Sequence, residues 1–127
     1  MTPNRLASAL RARAQGLHCP QAAAELLIAQ TWFHRADFRN NFINITPHLV
    51  DGQAMANVDW AAAINALDAG GLPCSAGEQR MLRITASIGD GIPVNLQDSL
   101  TGLDERNIQL LIRALLHTSG RHPRPVT

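Results

Sequence analysis

Four of the chain's five aromatic side chains, Trp32, Phe33, Phe38 and Phe42, fall inside one stretch, "TWFHRADFRNNF". Each such ring removes about 150–250 Å² from water when buried, more than any aliphatic residue, so the place where they gather is where a core must start. The remaining apolar residues are small or aliphatic. Hydrophobic residues make up 46% of the 127 positions and aromatic ones only 4%, much of the difference being alanine, which favours closely packed helices over a bulky sheet sandwich. A chain of this length supports one core. The expectation is a mainly α, single compact domain over residues 1–120, with about five to six helices, a short β-ribbon near residues 42–58 and a flexible tail at 121–127.

Local signals divide the chain accordingly. Leu6, Leu10, Ala14 and then Leu17 recur at helical spacing, and with Gly16 as a stop they predict a helix from Asn4 to Gln15. Pro20 suits the first turn of a second helix through "PQAAAELLIAQ", apolar on nearly every side except at Gln21, Glu25 and Gln30, and therefore central. After a break at Thr31–Trp32, "HRADFRNNFI" reads as a third helix, with Phe38 and Phe42 one turn apart and Arg35 and Arg39 beside them. "FINI" and "AMANV", separated by Pro47 and Asp51–Gly52, alternate as two strands of a ribbon. Asp59 caps "WAAAINALDAG"; Ser75 and Glu78 have capping-box spacing before a helix that carries Met81, Ile84, Thr85 and Ile88 inward and Arg80 and Arg83 outward, and Gly89 and Gly91 stop it. "NLQDSL" gives a turn or two. Asp104 then caps the last helix, where Ile108, Leu111, Ile112 and Leu115 form the expected buried stripe.

The order helix, turn, helix and ribbon over residues 4 to 58 resembles that of a winged-helix DNA-binding domain, a likeness of element order without a residue motif. It implies that the helix at 34–43 enters the major groove, with Arg35, Arg39, Asn40 and Asn41 contacting phosphates or base edges. Asp37 on the same helix opposes a phosphate contact. Aromatic side chains at helical spacing are the mark of packing more than of base stacking, so the stretch reads first as the edge of a core.

Few residues are placed for chemistry. His18, His34, His48, His117 and His122 and the two cysteines form no CxxC, HxxxH or HExxH pair, and no metal is expected. Cys19 and Cys74 each precede or open a helix but have no base beside them in sequence; they are expected as reduced thiols. Glu25 lies in a nearly apolar helix, where a carboxylate pairs with an arginine, Arg35 or Arg39 being the expected partners, or acts in proton transfer. "GDGIP" and "DAGGLPCSAGE" lack the glycine spacing of a phosphate loop, so no cofactor is expected.

All eleven basic residues are arginine, and the net +1 divides into +3 over residues 1–40 and −4 over 41–120. That is too sparse for the basic footprint of a dedicated nucleic-acid domain. No apolar run is long enough for a membrane helix and the start lacks a secretion signal, which places the chain in the cytoplasm without membrane contact. On the last helix Arg106, Leu110, Arg113 and His117 share a stripe away from the expected buried face, an exposed leucine among donors. The leading function is therefore non-enzymatic binding of a protein partner, or self-association, through that stripe. DNA binding ranks second. A small enzyme using a cysteine or a buried carboxylate ranks third.

Overall fold

The computed structural model describes residues 2–46 and 53–121, so the turn carrying Pro47, His48 and Asp51–Gly52 and the end of the tail with His122 lie outside the described residues. Start and stop signals within single turns set most of the elements. Helix α1 (Pro3–Ala14) begins where the Thr2 hydroxyl accepts from the Arg5 amide, and Gly16 follows it at φ +85°. Helix α2 (His18–Ile28) is followed by α3 (Thr31–His34) and α4 (Ala36–Phe42). Strands β1 (Ile43–Thr46) and β2 (Met55–Val58) pair antiparallel in the register Ile43 to Val58 and Thr46 to Met55. Helix α5 (Trp60–Asp68) starts with the Asp59 carboxylate accepting from the Ala62 amide, and α6 (Ala76–Asp90) starts with the complete Ser75–Glu78 capping box. Short α7 (Leu96–Leu100) precedes α8 (Glu105–Thr118), whose cap is Asp104, accepting from Asn107 at 2.8 Å.

The protein is mainly α, with eight helical segments and one two-stranded sheet among the described residues. The count exceeds the expected five to six because Thr31–Trp32, expected as a break, open the short helix α3, and the turn or two expected at "NLQDSL" is helix α7; the helix expected over 34–43 is α4, and the break falls at Arg35. Arg35 is extended, at φ −85° and ψ 125°. That kink turns Trp32 and Phe33 on α3 and Phe38 on α4 inward together, all of them essentially inaccessible. A continuous helix would have fanned these rings around its axis.

Helix α2 is central because it has two buried faces. Ala23, Ala24 and Leu27 join the larger cluster with Leu6 and Leu10 of α1, the aromatic residues of α3 and α4, Ile43, Ala56, and Trp60 and Ile64 of α5. Ala22 and Leu26, on its other side, meet Met81 and Ile84 of α6 and Leu103, Leu111 and Ala114. Ile88 packs against both clusters and links them.

Helix α8 sits differently from the expectation. Leu111 and Ala114 are buried and Leu110 packs half-buried against the second cluster, whereas Ile108, Ile112 and Leu115 are 43%, 52% and 54% exposed. At about 100° per residue, the covered face is turned from the expected one by roughly a quarter of the helix circumference. The physical reason is approach distance: Ala114 has almost no side chain, so α8 seats it against α2 and brings the backbones close.

Gly89 does not stop α6; it lies within the helix, which runs on to Asp90 and is capped by Gly91 at φ +68°. A Cβ on Gly89 would lie 2.7 Å from the Trp60 indole nitrogen and 3.0 Å from the Ala23 Cβ. Glycine here is a packing requirement for α2, α5 and α6. In Gly89→Ala the helix-propensity gain of about 1 kcal/mol opposes an overpacking cost of about 1–3 kcal/mol. Thermal unfolding followed by circular dichroism should show a net loss, up to about 2 kcal/mol on those figures; a stabilised variant would mean that Trp60 has room to move.

Candidate functional site

The aromatic edge is closed from outside by polar contacts. The Trp32 indole N–H donates to the Glu78 carbonyl at 2.8 Å, and Glu78 in turn accepts from the Ser75 amide and the Thr31 hydroxyl, both at 3.0 Å. Trp32 and Phe38 lie 5.7 Å apart and Phe38 and Phe42 5.5 Å, tilted as quadrupoles prefer. These rings are core, joined to the start of α6.

Arg35, the first of the residues expected at a nucleic acid, is occupied. Its guanidinium donates to both Asp37 carboxylate oxygens at 3.0 and 2.7 Å and to the Pro73 carbonyl at 2.7 Å, and it lies 4.4 Å above the centre of the Trp32 ring. Arg39 is half-buried, with its Nε enclosed and unpartnered; Asn40 is exposed; exposed Asn41 donates to the Asp37 carbonyl. Asp37, whose sequence position suggested repulsion of phosphate, here holds Arg35 in place.

The arginine stripe expected on α8 faces α2 and α1. Arg106 donates to the Ala29 carbonyl at 3.2 Å, and the His117 Nε2 lies 3.3 Å from the Gln21 side-chain oxygen. Leu110, Arg113 and His117 line a groove of about 390 Å³ against Ala22, Glu25 and Leu26. Glu25 is not paired with Arg35 or Arg39: Arg11 of α1 takes it in a two-pronged contact, Nε to Oε2 at 2.7 Å and Nη2 to Oε1 at 2.9 Å. The Glu25 side chain is 43% exposed, so the apolar helix does not desolvate it. Residues at positions 11 and 25 are far apart in sequence, and no local spacing could have found the pair.

Cys19 and Cys74 are both free and exposed, and burial together with the Glu78 charge pushes the Cys74 thiol above its ordinary range, which disfavours the thiolate. Among the described residues no three His, Cys, Asp or Glu side chains are grouped to hold a metal ion. No described helix is long and apolar enough to cross a membrane.

One surface the sequence reading missed is the outer side of α8. Ile108, Ile112, Leu115 and Leu116 are all exposed, at spacings of four, three and one along the helix, and so form a continuous apolar strip. Other exposed large apolar residues are spread over several elements: Leu17 before α2, Ile45 on β1, and Leu96 and Leu100 on α7. The strip's periodicity is legible in the sequence, but periodicity alone points these side chains into the core. Compared with models of protein families, curated protein sequences and solved structures, the chain matches none.

Electrostatics at the aromatic edge give a pH test. Hydrogen bonds from Arg35 hold Asp37 below the ordinary carboxylate range, and the Ser75 amide does the same for Glu78. Depressed folded-state values mean that the stabilisation is complete above the usual carboxylate pKa of about 4 and is lost as pH falls through the lower folded values. Glu78→Gln should therefore melt below wild type at pH 7, and the two melting curves should converge as pH falls toward about 2–3. A constant gap between them at every pH would show that ionised Glu78 contributes nothing.

Proposed function

We propose that this chain is a non-enzymatic protein-binding domain whose docking face is the outer side of α8. The observation that carries the reading is the continuous strip of Ile108, Ile112, Leu115 and Leu116 left in water on one helix. Contiguous exposed apolar surface is costly to maintain, and proteins that keep it generally cover it with a partner. Arg113, exposed on the same helix, supplies a polar margin, while Leu110 and His117 support the helix from the α2 side.

The groups nearest to catalytic use are poorly disposed for it: Glu25 is held by Arg11, and burial together with the Glu78 charge raises the Cys74 thiol, which disfavours its thiolate. Two exposed unpaired thiols fit a reducing compartment, which favours the cytoplasm. The DNA reading through Arg35, Arg39, Asn40 and Asn41 ranks second, because Arg35 would have to abandon Asp37, Pro73 and the Trp32 ring to reach a phosphate.

The test is site-specific. Ile112→Asp and Leu115→Asp should each unfold within about 0.5 kcal/mol of wild type, as exposed substitutions do. A photo-reactive crosslinker placed at position 112 in living cells should give a discrete protein adduct that Leu115→Asp abolishes, while the same group at exposed Asn65 on α5 gives none. Unfolding of Ile112→Asp, or equal labelling from both positions, would remove the α8 face from consideration.

A further inference from the structure

We propose that the partner on the α8 face is a second copy of this chain, its α8 packed antiparallel to the first about a two-fold axis near Ile112. The inference rests on the protein-binding reading above and adds the occupant and its orientation. Its basis is the distribution of charge at the two ends of the strip. Asp104 and Glu105 stand at the start of α8, and Arg121, exposed, stands just past its end; between them the strip carries Ile108, Ile112, Leu115 and Leu116. A surface that is acidic at one end, apolar in the middle and basic at the other is complementary to itself when reversed.

Antiparallel packing sets Ile112 against the partner's Ile112, and Ile108 against the partner's Leu116. It brings Asp104 and Glu105 alongside the partner's Arg121 at both ends of the seam. It also opposes the two helix macrodipoles, so that each positive N-terminus lies by a negative C-terminus. A parallel arrangement would instead set Asp104 and Glu105 of both copies together and align the dipoles, adding repulsion at each end. The spacing 108, 112, 115 is the alternating four-and-three pattern by which two helices interlock side chains along a shared seam.

The contact is modest in size. A helix of 14 residues is about 21 Å long, and pairing along that length alone buries less than the roughly 800 Å² per partner of a standard stable interface. The dimer should therefore dissociate in the micromolar range and exchange freely. Screening should weaken it only in part, since salt acts on the charged ends and not on the apolar middle.

Light scattering across concentration tests the proposal on the full chain. Wild type should rise from the 13.8 kDa of the monomer toward twice that mass between about 1 and 500 µM. Ile112→Asp should stay monomeric with an unchanged thermal transition. Glu105→Arg should weaken association at least tenfold, and adding Arg121→Glu to it should restore the wild-type value, which a merely apolar contact would not do. Orientation is read by disulfide trapping in a Cys19→Ser, Cys74→Ser background: Ile112→Cys should crosslink to itself, whereas Ile108→Cys should crosslink to a Leu116→Cys chain and not to itself. Self-crosslinking of Ile108→Cys would overturn the antiparallel pairing. Wild type that remains monomeric throughout overturns the second copy as occupant; if it still binds an apolar dye that Ile112→Asp releases, the protein-binding reading stands with another partner. Failure of both, with Ile112→Asp unfolded, overturns the two readings together.

Discussion

A helix with two apolar faces has to be covered on both, and α2 is such a helix, its polar side narrowed to His18, Gln21 and Glu25. Leu26 and Leu27 are both almost fully buried, yet they belong to different clusters, one facing α6 and α8 and the other facing α1, α5 and the aromatic segment. Full burial of each is worth on the order of 1.5–3 kcal/mol, so neither face can be left to water in a domain of ordinary stability. Helices α1, α6 and α8 pack directly on α2, and α5 is placed in turn by α6. On α2 Gln21 meets His117 and Glu25 meets Arg11, while Gln30, just beyond the helix, donates to Thr85 at 2.8 Å and keeps its side-chain oxygen enclosed and unpartnered.

Around that axis the packing tolerates little change where backbones approach closely. Gly89 lets α6 pass against Trp60 and Ala23, and Ala114 lets α8 rest on α2. The aromatic edge is locked in another way, by the Trp32 indole on the Glu78 carbonyl and by Arg35 clamped between Asp37, Pro73 and the Trp32 ring. A buried indole N–H without that acceptor would cost about 1–3 kcal/mol, so the start of α6 and the aromatic segment hold each other in position.

The functional consequence is a division of labour between the two faces of α8. Its inner face serves the second cluster and carries the Arg106 and His117 contacts to the α2 side. Its outer face contributes nothing to the monomer's own core. The proposed association through Ile108, Ile112, Leu115 and Leu116 would cover these side chains, whereas Arg35 at the aromatic edge is already occupied within the monomer.

Much of this architecture was legible from residues within one turn of each other. The caps at Asp59, Ser75–Glu78 and Asp104, the antiparallel ribbon of "INIT" and "MANV", and the inward placement of the clustered rings all arise from local hydrogen bonding and burial. Three matters were decided only by the tertiary structure. Glu25 found Arg11 because α1 lies against α2; the chain broke at Arg35, whose guanidinium reaches Asp37 and, across the fold, the Pro73 carbonyl; and α8 buried Ala114 beside the expected Leu111, in place of Ile108, Ile112 and Leu115. The apolar arc of α8, from Ala114 through Leu111 to Leu116, is wider than α2 and α6 can cover. Periodicity determines that such an arc exists, but which edge of it is covered depends on how closely the neighbouring helices can approach, and that is a property of the assembled packing alone.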